Sequence, residues 1–233
     1  RTILEDADLV TPDGMPLVWG LRLLGVRGAT RVYGPDLVPA VCAAAAERQV
    51  PVGFYGGTDA SLSTLVTKLQ QMFPALRVAY RWSPPFRALT REEEAEVVRE
   101  IDGSGARILF VGLGCPKQER WMARHRGRIG AVMRGVGAAF DFLAGAKRRA
   151  PPWMRRAGLE WSFRLLSEPR RLWRRYLYHN PRFIALFGAQ VLRDRVLGVG
   201  ATGAGGEGAR DEWIRDRPGC RRGGPGADRV GGG

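Results

Sequence analysis

An apolar, β-type run, Phe110-Val111-Gly112-Leu113, empties into Gly114-Cys115-Pro116-Lys117-Gln118-Glu119, a glycine turn that opens a helix with polar residues in its first turn. That is an anion-binding layout. Gly112 and Gly114 permit a tight turn, Pro116 suits the first helical position, and the unpaired N–H groups of the helix start, beside Lys117, can face a phosphate or carboxylate. The same letters also suit a plain βα turn, so the pattern gains meaning from its company. Tyr55-Gly56-Gly57-Thr58 and Gly135-Val136-Gly137-Ala138-Ala139-Phe140-Asp141 are further glycine turns behind apolar runs, and Thr11-Pro12-Asp13-Gly14-Met15-Pro16 puts a carboxylate behind another. Asp-Gly is also ordinary turn chemistry. In open α/β sheets, however, ligands collect at the carboxyl ends of strands, so several such turns together say more than any one.

None of these turns completes the dinucleotide fingerprint with its distant acid, which argues against a nicotinamide enzyme. Asp6-Ala7-Asp8 formally matches the Asp-x-Asp of metal-dependent sugar transferases, but it runs into an expected strand and such tripeptides arise readily by chance. With only His125 and His179, and with Cys42, Cys115 and Cys220 far apart, no metal site, cofactor or disulfide framework is expected, and the thiols suit a reducing compartment.

The elements that must position these residues alternate. Apolar β-type runs over 8–10, 50–55, 76–80, 108–111 and 130–133 are separated by helical periodicity over 15–24, 37–48, 61–72, 91–101, 117–125 and 138–144. Such alternation predicts an α/β fold, a Rossmann-like parallel sheet flanked by helices. Thr90 before Arg91-Glu92-Glu93 predicts a capping box.

The chain has 233 residues, a hydrophobic share of 45% and a formal charge of +14, enough for a folded core and a call for an anionic partner. No apolar run approaches the roughly 20 residues of a spanning helix, and no signal peptide opens the chain, so a cytoplasmic protein is expected. The charge is uneven. Residues 1–150 read as the α/β core, whereas 151–195 interleave arginines with aromatics such as Trp153, Trp161, Trp173, Tyr176 and Tyr178, and 196–233 are too glycine-rich and apolar-poor to fold. Basic helices with interleaved rings suit an anionic membrane surface. They equally suit nucleic acid, through phosphates and stacking, or form a small aromatic core with arginines outside.

Taken in order, Ala7-Asp8-Leu9-Val10-Thr11-Pro12-Asp13-Gly14, Arg31-Val32-Tyr33-Gly34-Pro35-Asp36, the segment from Gly112 to Glu119, the segment from Gly135 to Asp141, and Arg149-Ala150-Pro151-Pro152 leading to Gly158-Leu159-Glu160-Trp161 and Glu168-Pro169-Arg170-Arg171 resemble the WecG/TagA/CpsF glycosyltransferases. The resemblance covers most of the chain, to about residue 182. It implies inverting transfer of a sugar, typically N-acetylmannosamine, from a UDP-sugar donor to N-acetylglucosaminyl-diphospho-undecaprenol during bacterial surface-polymer synthesis. It also implies work at the inner face of the plasma membrane, with no nucleic acid partner and with a homo-oligomer left open. The family pattern has a further N-terminal βα segment, so this chain reads as N-terminally incomplete and is expected to be poorly active alone; the tail after Leu197 has no family counterpart.

Inverting transfer is a single displacement that needs one general base, and Asp13 is the candidate, with Glu119 in reserve. The nucleoside diphosphate leaves as an anion, so it needs positive charge rather than a second acid. Arg31 and Gln118 match family positions at the donor pocket. Gly56, Gly57, Gly112, Gly114, Lys117, Gly135 and Gly137 would line the diphosphate. Arg164, Arg171 and Arg174 of the appendage would close over it.

Overall fold

The computed structural model describes residues 2–196, without the side chains of Thr2, Arg171, Arg175, Asp194, Arg195 and Val196. The glycine-rich tail expected beyond that point lies outside the described residues. Helices α1 (Thr2–Glu5), α2 (Met15–Leu23) and α3 (Gly34–Glu47) precede the first strand, β1 (Val52–Gly56). Then follow α4 (Asp59–Met72), β2 (Val78–Trp82), α5 (Arg91–Gly103), β3 (Ile108–Gly112), α6 (Lys117–His125), β4 (Val132–Gly135) and α7 (Ala139–Ala144). Helices α8 (Pro152–Arg156), α9 (Glu160–Ser167) and α10 (Pro169–Val196) complete the described chain. Of the described residues, 2–183 make up one compact unit and 184–196 belong to a second.

The strands form one parallel sheet in the order β2-β1-β3-β4, the doubly wound architecture expected from the alternation. β1 is buried along its whole length because both its faces are covered. On one face Phe54 and Phe110 stack at 5.3 Å between strands, and Phe140 of α7 meets Phe54 edge-on at 5.8 Å. Val38 and Cys42 of α3 and Leu62, Leu65 and Leu69 of α4 close that layer. On the other face Tyr55, Leu109 and Val111 pack under Val97 and Ile101 of α5 and Trp121 of α6.

Local chemistry starts these helices where the sequence signals them. Thr90 accepts the Glu93 N–H at 3.2 Å while the Glu93 carboxylate accepts the Thr90 N–H at 2.9 Å, the expected capping box. The Thr58 hydroxyl accepts the Ser61 N–H at 3.2 Å and caps α4. Burial of Leu62, Leu65, Val66 and Leu69 follows the helical period that made α4 predictable.

The run over 8–10 is a correction: it forms no strand. Leu9 and Val10 are largely exposed, 70% and 57%, and pair with no ladder, so their apolar letters reflect neither a sheet nor the core. Asp13 therefore lies in a loop between that segment and α2 rather than at a strand end. Each observed strand also begins two residues beyond its expected start, except β3. For β1 the cause is visible: Pro51 has no N–H to give a ladder, and Val52 is the first residue in register.

Because β2 lies on one side of β1 and β3 on the other, the strand order reverses between β1 and β3. Their carboxyl ends are Gly56 and Gly112, partners in register, and the crevice beyond such a reversal is where open α/β sheets take ligands.

Candidate active site

The glycines at the reversal divide into those required by the protein's own packing and those facing open space. A Cβ on Gly56, whose φ is +121°, would lie 2.6 Å from the Gly112 backbone, and one on Gly112 would lie 2.6 Å from the Phe140 ring. The Gly57 N–H donates to the Gly112 carbonyl at 3.2 Å. These positions let β1, β3 and α7 close on one another. Gly114 and Gly137, with φ of +78° and +56°, have no atom within 4 Å of a Cβ position, so a ligand can reach their backbones. Lys117 is exposed at the start of α6.

Gln118 is buried and fastens two of these turns. Its Oε1 accepts the Gly137 N–H at 2.9 Å and its Nε2 donates to Glu119 Oε1 at 2.9 Å. A Cβ on Gly135 would strike the same amide at 2.9 Å, so Gly135 makes room for Gln118. Glu119 is thereby held beside Gln118, with its Oε2 buried and receiving no hydrogen bond among the described residues.

The second half of the site is built from the loops before α2 and α3 and from α9. Arg31 Nε donates to the Asp13 carbonyl at 2.5 Å, and its Nη2 meets Glu160 Oε2 at 2.6 Å. Glu160 opens α9, so Arg164 lies one turn on and reaches Glu160 Oε1 at 2.6 Å. Tyr33 lies beneath, its ring 4.2 Å from the Arg31 guanidinium and its hydroxyl 3.4 Å from Arg164 Nη2. Arg149 stands 5.4 Å over the same ring and pairs with Asp36 at 2.5 Å; Arg155 approaches Asp36 at 3.8 Å.

The two halves adjoin. Arg134 of β4 donates to Thr11 Oγ1 at 2.6 Å, tying the loop of Asp13 to the strand that leads into Gly135 and Gly137. At the start of α3, a Cβ on Gly34 would lie 2.9 Å from the Val136 carbonyl, and Tyr33 meets Phe142 of α7 with ring centroids 6.5 Å apart.

The charges have opposite settings. Burial raises the Asp13 carboxyl above its usual range, and the nearby Arg31 and Arg164 only partly offset this, although the side chain keeps access to solvent. Burial works against the Glu160 carboxylate as well, but the hydrogen bond from Arg31 and the charge of Arg164 outweigh it and hold Glu160 below the usual range. The Tyr33 hydroxyl is raised, first by burial and then by the Glu160 charge. One carboxylate is thus held ionised as a counter-charge, while the other is less acidic than usual.

Of the residues singled out from the sequence, Asp13, Arg31 and Arg164 come together, and Gln118 lies with Gly135 and Gly137. Arg174 is exposed on α10, its guanidinium 5.3 Å over Trp173, and forms no ion pair with the carboxylate cluster among the described residues. The Arg171 side chain lies outside the described residues. Glu160, Tyr33, Asp36, Arg149 and Arg134 were missed as site residues. Tyr33, Asp36, Arg149 and Glu160 lie within the motifs that carry the family resemblance, which gave them no role, and the only sequence signal for Arg134 is a charge at the end of the apolar run Ala131-Val132-Met133.

The sequence pattern of the glycosyl transferase WecG/TagA/CpsF family matches residues 1–196. The chain is 32% identical over 178 residues to a Bacillus spizizenii protein named N-acetylglucosaminyldiphosphoundecaprenol N-acetyl-beta-D-mannosaminyltransferase, a match covering 76% of this chain and 67% of that relative. A Bacillus subtilis protein of the same name is 30% identical over 176 residues, covering 75% and 66%. The chain thus spans about two thirds of the length of these relatives.

Proposed function

The chain belongs to the WecG/TagA/CpsF glycosyltransferase family, and on that premise we propose that it moves N-acetylmannosamine from UDP to N-acetylglucosaminyl-diphospho-undecaprenol with inversion at the anomeric carbon. The names of its relatives support this choice of sugar and acceptor. Asp13 takes the proton of the acceptor hydroxyl while that oxygen bonds to the anomeric carbon. The bond from that carbon to the diphosphate oxygen breaks, and UDP departs with the electron pair. A base works best with a pKa near the working pH, and the burial that raises Asp13 moves it in that direction.

The leaving diphosphate gathers charge as the bond breaks. Arg31 and Arg164 supply positive charge beside Asp13, and the open backbone of Gly114 with Lys117 offers further donors. Asp6-Ala7-Asp8 is a poor metal site by its own contacts, since Arg126 binds both the Asp6 carbonyl and the Asp8 carboxylate. We assign the acceptor lipid to the membrane and the enzyme to its inner face; among the described residues no helix is long and apolar enough to cross a bilayer.

The observation that carries this reading is the bonding of Arg31 to both the Asp13 loop and Glu160, which fixes a poised carboxylate beside two guanidiniums. The test is incubation with labelled UDP-N-acetylmannosamine and a lipid-diphosphate N-acetylglucosamine, with and without excess EDTA. A β-linked disaccharide lipid formed in both is expected. Transfer with retention, or transfer abolished by EDTA and restored by magnesium, overturns the mechanism.

A further inference from the structure

Arg134 is a half-buried cation on an edge strand. It stands opposite Phe110 in the β3–β4 register, on a strand whose flanking residues Val132 and Met133 are apolar. Its Nη2 donates to Thr11 Oγ1, and its Nε is buried and meets no acceptor among the described residues. Of the other cations about the site, Arg31 and Arg164 pair with Glu160, Arg149 and Arg155 with Asp36, and Lys147 with Asp141 and Glu168. Arg134 pairs with no carboxylate among the described residues, and burial accordingly lowers its pKa with nothing to offset it. A guanidinium held in this way retains N–H groups in a planar fork suited to phosphate or carboxylate oxygens.

Its position says which oxygens. Thr11 begins the loop that carries Asp13, and Gly135 and Gly137, the second with open space at its Cβ position, follow Arg134 directly. We propose that Arg134 binds an anionic oxygen of the donor's diphosphate. The assignment rests on the glycosyltransferase reading and adds to it a contact that decides how the donor's charge is recognised.

The experiment is a calorimetric titration of the full chain with UDP, with a neutral UDP-hexosamine and with the corresponding UDP-hexosaminuronic acid, followed by turnover with each donor. Arg134→Met should weaken binding roughly 10–100-fold, the loss of a charge-assisted hydrogen bond. A loss shared by UDP and both donors is expected; a loss confined to the uronic donor would place the contact on the transferred sugar and overturn the proposal. Arg134→Lys, which keeps the charge without the fork, should fall between the two and carries the same comparison if the methionine variant does not fold. Thr11→Val removes the internal hydrogen bond alone, and if it reproduces the whole loss then Arg134 only positions the loop and the proposal is overturned. Equal binding by Arg134→Met and the unaltered chain overturns it too. If the unaltered chain binds neither UDP nor any UDP-sugar, the glycosyltransferase reading itself fails, and this proposal with it.

Discussion

Arg31 and Glu160 lie 129 residues apart in the chain and meet at 2.6 Å, so one ion pair fastens the loop of Asp13 to the helix that carries Arg164. Both side chains are mostly shielded, 18% and 12% exposed, and Glu160 serves two guanidiniums at once. Removing the carboxylate leaves those cations facing each other with no counter-charge. Breaking such a pair from one side is costly because the surviving charge stays desolvated.

Glu160→Gln should therefore lower stability by about 1–3 kcal/mol at neutral pH and reduce turnover roughly 10–100-fold through displacement of the Asp13 loop. The pH dependence has a definite sign. The native pKa of Glu160 is lowered, so its contribution is present above the ordinary value of 4.5 and is lost as pH falls through the native value. Urea unfolding of both proteins at neutral and acid pH checks this: the gap should close on acidification. A gap that is constant with pH would remove the ion pairs from the explanation.

Asp13 has the opposite linkage. Its raised native pKa means that the ionised form is disfavoured by folding, so the stabilising protonated form has been lost by neutral pH. Asp13→Asn should leave the melting temperature unchanged or slightly higher while lowering turnover roughly 10²–10⁴-fold. In the unaltered enzyme the acid limb of kcat/KM should lie above the usual aspartate range and disappear in the variant. Unchanged turnover would transfer the base role to another group, with Glu119 next.

The fold was legible because local signals agreed with one another. α6 was expected over 117–125 and occupies those residues, since an amphipathic period begins at a glycine turn and nothing in the tertiary structure competes with it. The Thr90 capping box was equally local. The run over 8–10 misled because a strand is defined by its partner, and Leu9 and Val10 have none in the sheet. α3 begins at Gly34, ahead of its expected start at 37, because Pro35 is preorganised for the first turn. In the site, glycine turns announced themselves by residue type. Glu160 did not, because its importance comes from partners on two other segments, and no period or spacing records contacts across that separation.

The glycines give a contrast that separates packing from binding. Gly56→Ala and Gly112→Ala each place a methyl about where backbone or the Phe140 ring already lies, and should destabilise the fold by roughly 2 kcal/mol or more. Gly114→Ala and Gly137→Ala meet no atom, so their cost should be the smaller one of a left-handed residue, roughly 1 kcal/mol, with UDP binding weakened out of proportion. Thermal melts paired with UDP titrations test this. Equal melting losses at all four positions would show that the open glycines are structural as well.

Membrane attachment should depend on the outward rings of α10 independently of the chemistry. Trp173, Leu177 and Tyr178 are 47%, 67% and 62% exposed, a spacing that puts apolar surface on neighbouring turns of one helix beside Arg174. Rings at headgroup depth and arginines on lipid phosphates would hold the helix at an anionic surface, each basic residue adding on the order of 1 kcal/mol that salt screens. Replacing Trp173, Leu177 and Tyr178 together by serine leaves Glu160 and Arg164 untouched, whereas cutting the chain at Ala150 would remove them as well. The triple variant should lose most co-sedimentation with anionic vesicles while still transferring sugar to a short-chain, water-soluble diphosphate acceptor. High salt should weaken the unaltered chain's attachment only in part, because the rings contribute without charge. If the triple variant still sediments with the vesicles as the unaltered chain does, α10 is not the anchor; if it loses transfer to the soluble acceptor as well, those rings belong to the active site.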